Sequence, residues 1–126
     1  MELSIEEVRS ALGPAYASKP EDNVISRFIE RRSRELEELI KRPLEEETSE
    51  HLKKWLLNKV CADVLSWDLV GVESAETIDY TIDALRESRS ENVRLKLEWI
   101  KTLEERAELA IRMYFLKLVG YRGAKL

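Results

Sequence analysis

The chain is poor in the residues on which most site chemistry depends. Its 126 residues include one cysteine, Cys61, and one histidine, His51. A lone cysteine closes no intrachain disulfide and a lone histidine builds no cluster, so Cys- and His-based metal centres and dithiol redox chemistry are excluded. Glycine and proline are also scarce, at four and three residues, while hydrophobic residues make up 44%. That balance predicts a folded helical chain, not a disordered one. The four glycines stand singly where element ends are expected, so no glycine-rich phosphate loop exists. Long apolar runs are missing too. The longest, at 113–116, falls far short of the roughly 20 residues that a bilayer span requires. Met1-Glu2-Leu3-Ser4 lacks the basic-then-apolar order of a secretory leader, and with no membrane segment the expected place is the cytoplasm. No metal and no other cofactor is expected.

Glutamine is absent and asparagine occurs only at Asn23, Asn58 and Asn92, whereas charged residues reach 37% and glutamate leads them. This is the Lys/Glu-rich, Gln-poor usage of hyperthermophile proteins. Lys plus Arg is 21 and Asp plus Glu is 25, a net charge of −4. Such a balance argues against a general nucleic-acid binder, which needs excess cations to neutralise phosphates. The length fits one domain spanning 1–126.

Helical periodicity dominates the pattern. Ser4 and Glu7 have capping-box spacing, which predicts a helix over Ile5 to Leu12 that Gly13-Pro14 stops. Asp22 or Asn23 is placed to cap a second helix, with Val24, Ile25, Phe28, Ile29, Leu36, Leu39 and Ile40 on one face and an end at Arg42-Pro43. Glu45-Glu46-Glu47 then reads as an acidic linker. The third helix, over Glu50 to Val70, carries Leu52, Trp55, Leu56, Val60, Cys61, Val64 and Trp67 with further apolar residues beside them, so it should be central, with Gly71 beyond its end. Within a connection over 72–90 the period changes: Ile78, Tyr80 and Ile82 alternate with Thr77, Asp79, Thr81 and Asp83, the two-residue repeat of an extended strand. A single strand needs a partner for its backbone N–H and C=O groups. Ser88 and Glu91 offer another capping-box spacing. From there Val93, Leu97, Ile100, Leu103, Ala107, Ala110, Ile111, Tyr114 and Leu118 predict a last helix of roughly 28 residues, about 42 Å long, ended by Gly120 and followed by a basic tail over 120–126. The fold class is therefore all-α, with four helices including a long C-terminal one and one short strand between the third and fourth.

The charge is uneven along the chain. Residues 71–92 hold six acids against Arg86 and Arg89, while residues 93–126 hold eight bases against four acids. Such segments can attract each other between subunits, although charge runs on helices are commonly solvated faces.

Catalytic constellations are not apparent. Glu37-Glu38 and Glu104-Glu105 are adjacent on their helices and point about 100° apart, too far to act as a dyad. Cys61 lies in an apolar helix and reads as a small buried hydrophobe. His51, at a helix start beside Glu47 and Glu50, reads as solvated. Arg27, Arg31, Arg32 and Arg34 open a second possibility, a helical nucleic-acid-binding regulator, but Glu30, Glu35, Glu37 and Glu38 interrupt them and favour ion pairing. Trp55 and Trp67 belong on the apolar face; Trp99, off the main stripe, could mark a contact surface.

The order of elements carries a family resemblance. A short capped helix (Leu3-Ser4-Ile5-Glu6-Glu7-Val8), a turn into Val24-Ile25-Ser26-Arg27-Phe28-Ile29-Glu30, a long helix ending near Arg42-Pro43-Leu44, an apolar helix with Cys61-Ala62-Asp63-Val64-Leu65, a strand-bearing connection and a final helix resemble the head-tail connector (adaptor) proteins of tailed viruses and proviruses. Arg31-Arg32-Ser33-Arg34 and the length of the last helix depart from that pattern. The resemblance implies a non-catalytic virion protein, assembled in the cytoplasm as a homo-oligomeric ring under the portal, receiving the tail or a stopper. DNA would pass through the ring without sequence-specific recognition. It further implies intersubunit roles for Thr77, Ile78, Tyr80 and Ile82, and portal contact by Arg112, Lys117, Tyr121, Arg122 and Lys125.

Overall fold

A computed structural model describes residues 1–70 and 91–123. Among them the protein is built from α1 (Ile5–Leu12), α2 (Asp22–Ile40), α3 (Glu50–Val70) and α4 (Glu91–Gly123), with 3-10 turns at Pro14–Tyr16 and Leu44–Glu46. The expected strand over 77–83, and the whole connection over 72–90, lie outside the described residues.

The capping box of α1 forms as its sequence predicts. Ser4 Oγ accepts from the Glu7 N–H at 3.1 Å, and Glu7 Oε1 accepts from the Ser4 N–H at 3.3 Å. These bonds satisfy two donors that a helix start otherwise leaves open. Gly13 then leaves the helix at φ 96°, a left-handed value that costs a glycine little. The start of α2 differs from expectation. Glu21 occupies the cap position in extended conformation without a side-chain capping bond, because the Asp22 carboxylate accepts from Arg9 Nη2 at 2.6 Å instead. Arg9 also donates to the carbonyls of Tyr16 and Pro20, at 2.9 and 2.7 Å. One guanidinium thus gathers the α1–α2 loop. α2 ends at Ile40, with Lys41 left-handed at φ 59°, shortly before the proline that forbids its continuation.

The acidic Glu45-Glu46-Glu47 linker has Glu45 and Glu46 exposed and Glu47 buried. It turns as a 3-10 helix that buries Leu44, whose N–H donates to Glu37 Oε2 at 3.1 Å and whose carbonyl accepts from the N-terminal ammonium of Met1 at 3.0 Å. Leu44 supplies the burial that an acidic composition hides.

α3 is central, as its broad apolar face predicts. Every residue from Val60 to Ser66 is buried, and α3 packs against α1, α2 and α4. Its antiparallel neighbour α4 contributes Ile100, Leu103, Ala107, Ala110, Ile111 and Tyr114. Burying Ile100, Leu103 and Ile111 contributes about 1.5–3 kcal/mol apiece. The expected break at Gly120 does not occur, and 120–123 continue the helix instead of opening a tail. A helix-interior glycine costs about 1 kcal/mol relative to alanine and does not by itself terminate a helix. With 33 residues against 21, α4 is about 50 Å long and α3 about 32 Å. No helix among the described residues is long and apolar enough to cross a membrane.

Candidate interaction surface

The length of α4 leaves it with an outer face that the bundle does not cover. Leu109, Met113 and Leu116 lie at i, i+4 and i+7, so they share one side, roughly opposite the buried Leu103, Ala107 and Tyr114. They are 60%, 43% and 63% exposed. Phe115 and Leu118 are also exposed near the same end, and Leu95 further toward the helix start. Elsewhere among the described residues the only exposed large hydrophobe is Leu39. Scattered apolar residues are ordinary on a protein surface; a contiguous stripe marks a contact.

Of the cationic residues expected to touch a partner, the side chains of Arg112 and Lys117 are among the described residues. Arg112 donates through Nε to Glu108 Oε1 at 3.0 Å, with both side chains mostly in solvent. Five residues later, Lys117 is turned about 140° around the helix and lines a cleft of about 460 Å³ with Glu47, His51, Tyr114 and the first turn of α3. Glu47 is 8% exposed there. Its Oε1 sits 3.1 Å from Arg42 Nη1 in an ion pair, although the alignment is not that of a hydrogen bond. The backbones of Tyr121 and Arg122 belong to the last turn of α4. Thr77, Ile78, Tyr80, Ile82 and Lys125 lie outside the described residues.

Within the arginine cluster of α2, Arg31 and Arg32 are committed to the fold. Arg32 donates through Nε and Nη2 to the two oxygens of Asp63, at 2.8 and 2.7 Å, and through Nη1 to Glu35 at 2.6 Å. Arg31 reaches Asp63 at 3.2 Å and lies over the Phe28 ring, 5.2 Å from its centroid. Arg34 pairs with Glu30. Burial disfavours the charge on Arg32, but the Asp63 carboxylate more than offsets it and raises its pKa. A phosphate would have to displace these carboxylates one by one. Asp63, 5% exposed, was missed as a partner in the sequence. The signal was a lone acid inside Val60-Cys61-Ala62-Asp63-Val64-Leu65, which requires a cation.

A second polar cluster closes the other end. Tyr16 Oη and Lys96 Nζ each donate to Asp68 Oδ2 at 2.7 Å, which ties the end of α3 to the beginning of α4. Burial pushes the Asp68 carboxyl up, but the Lys96 and Tyr16 bonds outweigh it and hold the pKa below the usual range. Trp99 joins this cluster edge-on to Tyr16, with ring centroids 6.4 Å apart. It is half-buried, with part of the ring packed against the core.

Cys61 is 1% exposed, and burial together with the charge of Asp63 pushes its thiol up to about 12. The thiolate is the reactive form. An aromatic disulfide reagent at neutral pH should therefore label the native protein at a rate set by unfolding, and label it fully in denaturant; rapid stoichiometric labelling of the native chain would contradict this burial. No group of three or more His, Cys, Asp or Glu side chains among the described residues is placed to hold a metal ion. No family model, curated protein or solved structure matches the chain.

Proposed function

We propose that the protein is a non-catalytic structural subunit of the head-tail connector kind: it assembles with copies of itself and joins a portal protein to a tail or stopper protein in a virion. The observation that carries this reading is the apolar stripe of Leu109, Met113 and Leu116 on the outer face of α4. A helix of about 50 Å with one face in the bundle and an apolar stripe on the other is suited to packing between protein chains. The resemblance in element order supplies the kind of assembly, a ring through which DNA passes, and the uncovered stripe supplies a surface with which to build it. Three of the four arginines that would serve the nucleic-acid-regulator reading, Arg31, Arg32 and Arg34, pair with carboxylates of α2 and α3, which weakens that alternative. Assembly would take place in the cytoplasm, with no cofactor involved.

The test mixes the purified chain with a portal protein from the same genome and follows mass by size-exclusion chromatography with light scattering. Several copies of the chain should co-elute with each portal ring. A chain that stays monomeric and adds no mass to the portal would overturn the reading.

A further inference from the structure

The apolar stripe on α4 belongs to a longer pattern. Leu95, Thr102, Leu109 and Leu116 follow one another at intervals of seven residues, the spacing that keeps one side of a helix against a partner helix over its length. All four are exposed, and Met113 lies exposed beside them. Among the described helices α4 packs chiefly against α3, so this seam is uncovered along the roughly 32 Å from Leu95 to Leu116. It faces away from the buried Leu103, Ala107 and Tyr114.

Charge decides what fits the seam. Glu98, Lys101, Glu105, Glu108 and Arg112 run along one flank of it, all of them exposed. Two helices that meet antiparallel about a two-fold axis bring the same flank together in reversed order. With the axis between Glu105 and Arg106, Leu95 of each copy stands opposite Leu116 of the other and Thr102 opposite Leu109, which covers the whole seam. In that register Glu98 faces Arg112 and Lys101 faces Glu108, each within two residues, or about 3 Å, of level. Every flank charge but Glu105 thus meets its opposite, and at the axis Glu105 and Arg106 of both copies come together with two charges of each sign. The Arg112–Glu108 pair within one chain has both side chains mostly in solvent; such a pair is weak, and Arg112 can be shared with a second carboxylate. A parallel pair would instead set Glu98, Glu105 and Arg112 against their own counterparts, like against like. Sliding the copies by one seven-residue step leaves Leu95 or Leu116 without an apolar counterpart.

We propose that two copies of the chain pair through the outer faces of α4, antiparallel and in this register. The pairing rests on the self-assembling part of the reading above and names its contact. Both copies use the same patch, so the contact is isologous and closes at two copies; a ring on the portal would join such pairs through a different face.

The test uses full-length Thr102→Cys and Leu109→Cys, which keep the buried Cys61 and change only exposed positions. Each is checked for native helix content, then oxidised alone and as an equimolar mixture. Disulfide-linked dimer should be at least ten-fold more abundant in the mixture than in either variant alone. Either variant linking to itself as readily would mark a parallel or shifted pair, and no linkage would mark a seam covered by something other than a second α4; both results overturn the proposal. A second measurement is independent of the thiols: Leu109→Glu with Leu116→Glu should weaken dimerisation at least ten-fold by sedimentation. An unaltered chain that sediments as a monomer, or a dimer that the two glutamates leave unchanged, would overturn it as well. A monomeric chain that still loads onto the portal would defeat the pairing and leave the connector reading intact, whereas a dimer that ignores the portal would defeat that reading and leave the pairing.

Discussion

Arg32→Ala should lower the free energy of unfolding by about 3 kcal/mol, toward the lower end of the 3–5 kcal/mol typical of breaking a buried ion pair. The cost arises from what remains. Asp63 is 5% exposed, and without Arg32 it loses two short charge-assisted bonds while its carboxylate stays out of water. Arg31, at 3.2 Å from the same carboxylate, retains part of the compensation, which is why the upper end of the range is not expected. Urea denaturation followed by tryptophan fluorescence and helix signal would measure the change; a loss under 1 kcal/mol would mean that Arg32 is dispensable to the fold. The paired replacement Arg32→Met with Asp63→Leu should recover most of the loss, since apolar residues of similar volume are often as stable as a buried pair. If Arg32 served nucleic acid instead, the single variant would leave stability nearly unchanged and reduce salt-dependent binding to duplex DNA.

The same pair shows where the sequence was legible and where it was not. Periodicity placed all four helices because each writes a one-sided or broad apolar pattern in consecutive residues, and the bounds of α1 and α3 follow from a capping box and a sustained core face. The pairing of Arg32 with Asp63 joins positions 31 residues apart. No local period records such a contact, so four arginines in a row of acids could be read as a phosphate-binding face. The neighbour of Trp99 is hidden for a related reason. Trp99 lies off the α4 stripe, and only the fold brings Tyr16 to its edge. The exposed stripe was hidden differently: Leu109, Met113 and Leu116 interleave with Ala110, Ile111 and Tyr114, so the C-terminal half of α4 looks apolar all round. Only burial separates the residues that meet α3 from those that meet solvent. A lone glycine near a helix end is commonly a C-terminal cap, which predicts a stop at Gly120, but the helix continues to Gly123.

Phe28→Ala should be comparably damaging, at about 3–5 kcal/mol, the usual cost of removing a buried phenyl ring. Phe28 is 1% exposed, and it sits on the face of α2 that meets α3. The substitution removes the transfer free energy of the ring and leaves a cavity among neighbours that collapse only in part. It has a second consequence. The guanidinium of Arg31 lies over the ring at 5.2 Å, a contact worth about 0.5–2 kcal/mol, and the same guanidinium reaches Asp63. Losing the platform should loosen Arg31 and weaken the reserve that limits the cost of Arg32→Ala. The double variant Phe28→Ala with Arg32→Ala should therefore lose more than the sum of the two singles, by roughly 0.5 kcal/mol or more, as residues sharing a partner do. Strict additivity in the denaturation cycle would separate the ring from the ion pairs and place Arg31 outside the support of Asp63. If the singles prove too unstable for an accurate baseline, Phe28→Leu supplies a milder version: the cation-ring contact is lost, most of the volume is kept, and the same sign of coupling to Arg32 is expected.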